Sequence, residues 1–274
     1  METRSIDGII LWFDETELEA AEIIGCACTK SVGLLRDCWS LSPPRDCHLY
    51  VMTCWKRFMF NAAPPMWRIA LGITLPLWRG RVARIWRFAG GWAQRFGKRQ
   101  AVGVKPPRLI QAVDSDIGAR LFVLEDLIQR VQMVTCHELT HVFTSHLRLP
   151  MWLNEGLAMV TVDRFFRKQT VREETLEMLT RSSGNIKPGR YWRLRAGNKE
   201  ALLYHFVRGY WLTRYLQEVQ PELLKDLLTK RYRRRILERM VGTELGMNTK
   251  ELWRTIDGIL AAYFCNLESK STSL

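Results

Sequence analysis

An α+β fold, with a small mixed β-sheet followed by a mostly α-helical C-terminal half, is what the sequence predicts, on three observations. Strand and helix periods alternate from Ile6 to Val51, a broad apolar helix near the middle carries His137-Glu138-Leu139-Thr140-His141, and helical periodicity dominates from Glu200 onward. With 274 residues, 47% of them hydrophobic and 25% charged, the chain can bury a substantial core, and its composition excludes a disordered class.

Taken in order, Ile6–Phe13 reads as a strand and Glu15–Trp39 as a helix with Leu18, Ala21, Ile24 and Cys28 on its apolar side. After Ser42-Pro43-Pro44, the run Cys47–Val51 reads as a second strand, giving a β-α-β opening. From Lys56 to Val113 there is no acidic residue, while Lys56, Arg57, Arg68, Arg79, Arg81, Arg84, Arg87, Arg95, Lys98, Arg99, Lys105 and Arg108 are basic, so this segment carries most of the net charge of +13. Within it Met66–Trp78 is apolar apart from Arg68, and Val82, Ile85, Trp86 and Ala89 fall at helical spacing until Gly90-Gly91 ends the run.

Three readings of this basic segment stay open. It can be a solvated insertion whose apolar stripe packs on the domain, or a peripheral contact with an anionic membrane through 56–108. Nucleic-acid binding is the third, and it has no recognition motif to accompany the charge.

Arg108–Val113, after Pro106-Pro107, is expected as a strand. The helix that follows starts near Ser115 or Glu125 and runs through Ser145, with Leu124, Leu127, Ile128, Val131, Val134, Leu139 and Val142 to bury. Such breadth predicts a central helix covered on several sides. Pro150 opens a further helix on which Leu153, Leu157 and Val160 form the stripe. Arg181–Asn198 reads as a loop or short strands over the cleft, Glu200–Val219 and Pro221–Leu228 as helices, Lys230–Arg235 as a solvated helical face, Thr249 to Phe264 as an amphipathic helix and Ser269–Leu274 as a frayed tail.

The chemistry concentrates on the central helix. Residues four apart differ by about 40° in direction, so His137 and His141 share a face and can grip one metal ion, with Glu138 one residue round. Catalytic zinc needs a third protein ligand. Glu155, in Trp152-Leu153-Asn154-Glu155-Gly156-Leu157-Ala158, is the best candidate, because a buried carboxylate is costly unless a cation compensates it. His146 is expected at the surface and Cys136 in the core.

HELTH followed by WLNEGLA resembles the zinc site of the gluzincin peptidases, the peptidase MA-like group that includes the aminopeptidase N family. The resemblance implies a zincin-like fold with a zinc-bearing central helix, Zn2+ held by His137, His141 and Glu155, Glu138 as general base, and a peptide or protein as substrate. The interval from His141 to Glu155 is shorter than in the large aminopeptidases, which implies a compact relative. It further implies one domain over 1–268, with 56–105 as a basic insertion, 109–165 as the zinc-site core and 199–264 as a helical C-terminal part. In gluzincins an edge strand beside the zinc pairs with the substrate backbone, and Leu109–Val113 is the expected counterpart.

Phe206-Val207-Arg208-Gly209-Tyr210 through Tyr215-Leu216 resembles the family segment whose leading tyrosine hydrogen-bonds the oxyanion. Here the matching position is Phe206, which has no hydroxyl, so Tyr210, then His205, and also Tyr204, are candidates for the missing donor. A Gly-x-Met-Glu-Asn stretch of the kind that anchors an amino terminus is absent from the sequence, which favours endopeptidase over aminopeptidase action. The alternative is an impaired peptidase-like protein that serves as a membrane-surface or partner-binding module. Met1–Asp14 lacks a basic start and a long apolar centre, and the seven cysteines have no paired CxxC spacing. A cytoplasmic protein with free thiols is therefore expected, with peripheral membrane contact left open.

Overall fold

In the computed structural model, residues 1–111, 116–123, 126–181 and 199–271 are described. They form a mixed five-stranded sheet at the N-terminus and a helical C-terminal part. The chain divides into two compact units. The first comprises Met1–Asp116, Leu124–Phe143 and Arg164–Arg167, the second Ile117–Val123, Thr144–Asp163 and Lys168–Leu274.

The first unit holds the sheet. Ile6–Phe13 is not one strand: β1 (Glu2–Ile6) and β2 (Ile9–Phe13) form an antiparallel hairpin around Asp7 and Gly8, both at positive φ. Asp-Gly tolerates that conformation and is a strong hairpin signal. Helix α1 (Leu18–Trp39) then carries the chain to β3 (Cys47–Val51), which pairs parallel to β2. Ala21, Ile24, Ala27, Cys28, Val32 and Leu35 are buried on α1, and each fully buried Ile or Leu contributes about 1.5–3 kcal/mol.

The basic segment does not form a single insertion. After α2 (Trp55–Ala62) and α3 (Pro65–Phe88), it supplies a hairpin of β4 (Gly91–Phe96) and β5 (Arg99–Val104) turning at Gly97. The sheet order is β1-β2-β3-β5-β4, so β5 lies inside the sheet, parallel to β3, and β4 is an edge strand. Trp55, Phe58, Met59 and Ala62 of α2 cover the sheet around Tyr50, Phe96 and Ala101, and α3 adds Val82 with Leu71, Leu75, Trp78 and Trp86 packed beside it. Lys105 donates from Nζ to the Trp86 carbonyl at 2.5 Å and lies 4.1 Å from that indole's centre, closing the C-terminal turn of α3. Burial lowers its ammonium to about 8.

Arg108–Val113 is not a strand as far as it is described. Pro107–Gln111 forms a short helix, α4, with Pro107 at its start, where its fixed φ and missing N–H suit a first helical turn. The remaining residues of that expected strand, 112 and 113, lie outside the described residues. After α5 (Asp116–Leu121), helix α6 (Leu127–Thr144) completes the first unit, with Val131, Cys136, Leu139, Val142 and Phe143 buried. Cys136 faces Ser31 of α1, and burial pushes its thiol up to about 12, so it is a core residue. All seven cysteines are free, and His146 is exposed.

The second unit is helical. It contains α7 (Met151–Phe166) up to Asp163, α8 (Leu176–Arg181), α9 (Lys199–Val219), α10 (Pro221–Thr229), α11 (Arg234–Glu244) and α12 (Thr249–Ser271). Its interior holds an ion pair of Arg208 and Asp257, joined at 2.7 Å from Nε and 2.5 Å from Nη2, with the Tyr204 hydroxyl also donating to Asp257. A buried charge is tolerated only with this degree of compensation. The run from Lys230 is largely exposed and mostly irregular, entering α11 at Arg234. Of the segment 181–198 only Arg181, the last residue of α8, is described; the expected frayed tail is helical through Ser271, the end of α12, and 272–274 lie outside the described residues.

Candidate metal centre

Helix α6 has two working sides. Cys136 points at α1, and on the other side Val134, His137, Glu138 and His141 share a face, as 3.6 residues per turn requires. The Nε2 atoms of His137 and His141 lie 3.0 Å apart, with the rings nearly perpendicular. Two imidazoles on one tetrahedral ion at about 2.0–2.1 Å hold their nitrogens about 3.3 Å apart, so the pair is close to a two-ligand arrangement.

The third member of the group is Glu155. Its carboxylate oxygen and the two imidazole nitrogens all lie within 4.8 Å of one another, and this group can hold a metal ion. Glu155 is 4% exposed, and a buried carboxylate is costly unless it is hydrogen-bonded, paired or bound to a cation. Two nitrogens and one carboxylate oxygen are a donor set suited to zinc.

Local structure explains how the two half-motifs are presented. Thr144 at the end of α6 donates to Asn154 Oδ1 at 3.3 Å, and the Pro150 carbonyl accepts from the Leu153 and Asn154 amides, closing the connection to α7. Trp152, Leu153, Leu157, Ala158, Met159 and Val160 are all buried, a wider cover than the three-residue stripe expected of α7. The adjacent Gly156 is where α9 crosses. A Cβ there would lie 2.1 Å from the Gly209 carbonyl oxygen, and one at Gly209 would lie 2.5 Å from that of Trp152. The WLNEG segment and the Phe206–Leu216 segment therefore meet backbone to backbone, at a crossing that only glycine permits.

Glu138 has a neighbour that sequence reasoning missed. The first residue of β4, Gly91, lies so close that a Cβ on it would be 2.6 Å from Glu138 Cγ and 2.5 Å from Val134 Cγ1. Gly90-Gly91 reads from sequence as a helix stop, whereas in three dimensions it opens space for the Glu138 side chain. The edge strand beside the histidine helix is β4, not the expected Leu109–Val113.

The substitutes for the missing tyrosine stand differently. The Tyr210 hydroxyl donates to Asp163 Oδ2 at 2.6 Å, and that carboxylate also accepts from the Thr170 amide and hydroxyl at 2.7 and 2.6 Å. Asp163 lies two helical turns beyond Glu155, about 12 Å along α7, so Tyr210 ties α9 to the far part of that helix. Burial, then the Asp163 charge, raises its pKa further. Tyr204 is committed to Asp257. His205 is 5% exposed, burial pulls it down to about 4, and its Nε2 has no hydrogen-bond partner among the described residues. Phe206 is half-buried on the same helix.

No family model matches the chain, and it matches neither a curated protein nor a solved structure. The functional reading therefore rests on the residues themselves.

Proposed function

We propose that this chain is a zinc-dependent metallopeptidase, of gluzincin type, that hydrolyses peptide bonds with Glu138 as general base and acts within chains more readily than at an amino terminus. The observation that carries this reading is the His137, His141 and Glu155 group, whose three donor atoms lie within 4.8 Å of one another. Zinc supplies Lewis-acid polarisation of a carbonyl when bound. His137 and His141 would hold it as neutral imidazoles, and Glu155 would add the compensating negative charge. Glu138 takes a proton from the attacking water and returns it to the departing amine. Gly91 leaves this carboxylate room, and β4, an edge strand among the described residues, offers an extended substrate an edge to pair with.

Glu138→Gln is expected to keep about one zinc per chain while lowering cleavage of a peptide library by about a hundredfold or more. Glu155→Ala is expected to lose zinc. Full activity in Glu138→Gln, or peptide cleavage untouched by a chelator, would sink the reading.

A second reading has its own support. Phe206 replaces the oxyanion donor, and the Tyr210 hydroxyl is already bonded to Asp163. A peptidase-like protein that keeps the metal but cleaves poorly would then act as a binding module. Zinc at full occupancy with no cleavage of any library peptide is the outcome that selects it.

A further inference from the structure

Helix α3 carries an apolar face on each side. One side, Leu71, Leu75, Trp78, Val82 and Trp86, covers the sheet of the first unit. At 100° per residue the opposite side aligns Met66, Ile73, Leu77 and Arg84 within about 20° of one line, with Ile69, Arg81 and Arg87 within about 60° of it. Met66, Ile69, Ile73 and Leu77 are 77%, 61%, 76% and 87% exposed, and Arg81, Arg84 and Arg87 are exposed as well. The face is therefore apolar for about 17 Å and cationic for the turns that follow.

We infer that this face of α3 lies on an anionic lipid surface, with Met66, Ile69, Ile73 and Leu77 in the acyl boundary and Arg81, Arg84 and Arg87 among the headgroups. Charge selects this occupant. The whole segment 56–113 contains no acidic residue, so nothing along α3 repels a negatively charged surface. A row of four large apolar side chains in water is disfavoured, and an interfacial amphipathic helix is the arrangement that buries such a row while keeping its arginines solvated. Among the described residues no helix is long and apolar enough to cross a membrane, so the contact is one of lying on the surface. The inference holds whether or not the chain hydrolyses peptides.

The test is co-sedimentation of the full chain with vesicles of phosphatidylcholine alone or mixed with phosphatidylglycerol. The mixed vesicles are expected to pellet the protein with about tenfold higher affinity, falling sharply at about 0.5 M salt, where the screening length shrinks to about 4 Å. I73E/L77E is expected to abolish pelleting, and R84Q and R87Q to weaken it about fivefold each. Because all four side chains are exposed, circular dichroism and thermal melting of these variants should match the parent. Equal pelleting by I73E/L77E, or no pelleting of a folded parent, overturns the inference. So does a parent dimer in size-exclusion chromatography that I73E/L77E dissolves without any vesicle binding, which would assign the face to a second copy.

Discussion

Helices α3 and α6 look alike in sequence and end up differently. Both are long and apolar over more than one side, and both belong to the unit that holds the sheet. On α6 the breadth is consumed: Val131, Cys136, Leu139, Val142 and Phe143 are buried, and the remaining face presents His137, Glu138 and His141. On α3 only Val82 is buried, and four large apolar side chains face outward. Apolar breadth therefore records how many surfaces a helix is built to meet, and it does not say whether those surfaces belong to the same chain.

The sharpest way to break this comparison is to delete the same apolar volume from each helix. Leu139→Ala on α6 is expected to destabilise by about 2–5 kcal/mol in urea unfolding, because the packed surroundings leave a cavity. A loss below about 1 kcal/mol would mean that α6 is not held as described.

The second unit tests covered helix faces through a polar group. His205 is pulled from the ordinary histidine value of 6.5 to about 4 by burial. Its folded-state pKa is depressed, so the unfolded chain binds the extra proton, and the stabilising contribution is complete above about pH 6.5 and lost as pH falls towards 4. The loss across that window is up to about 3 kcal/mol. Denaturant melts at about pH 7 and pH 4.5 should show His205→Gln with a shallower pH dependence than the parent. Identical slopes would remove His205 from the account.

A smaller effect is expected where β4 meets α6. Gly91→Ala must displace Val134 or Glu138, so peptide cleavage should fall about ten- to a hundredfold while zinc content stays at the parent level. Unchanged cleavage would show that the Glu138 carboxylate tolerates the shift. The smallest effect closes the comparison with α3. Leu77→Ala should change stability by no more than about 0.5 kcal/mol, since the side chain it truncates is already exposed.

Several features were legible because they are local. The helix ending at Trp39, the strand Cys47–Val51 and the shared face of His137 and His141 follow from periodicity alone, and the structure carries all three, although Glu15–Glu17 is a 3-10 turn and Leu18, expected on the apolar side, is 46% exposed. The Asp7-Gly8 hairpin is equally local and its turn signal stands in the sequence, although the apolar run from Ile6 to Phe13 reads as a single strand. Glu155 needed a second, separate segment to be recognised, and its resemblance to WLNEG supplied that.

What only the tertiary structure decided is which distant segments meet. The hairpin of β4 and β5 has a weak strand pattern, broken by Gly97 and by basic residues, and becomes sheet because β3 offers β5 a partner more than fifty residues earlier in the chain. Gly91 acquires its meaning from Glu138, Gly156 from Gly209 and Tyr210 from Asp163, each a contact between residues that no local period connects. Periodicity records the direction in which a side chain points relative to its own helix or strand, and it holds for every residue in the run. The surface that a side chain then meets is set by chain topology, and that is why the shared histidine face of α6 could be read in advance and the exposed face of α3 could not.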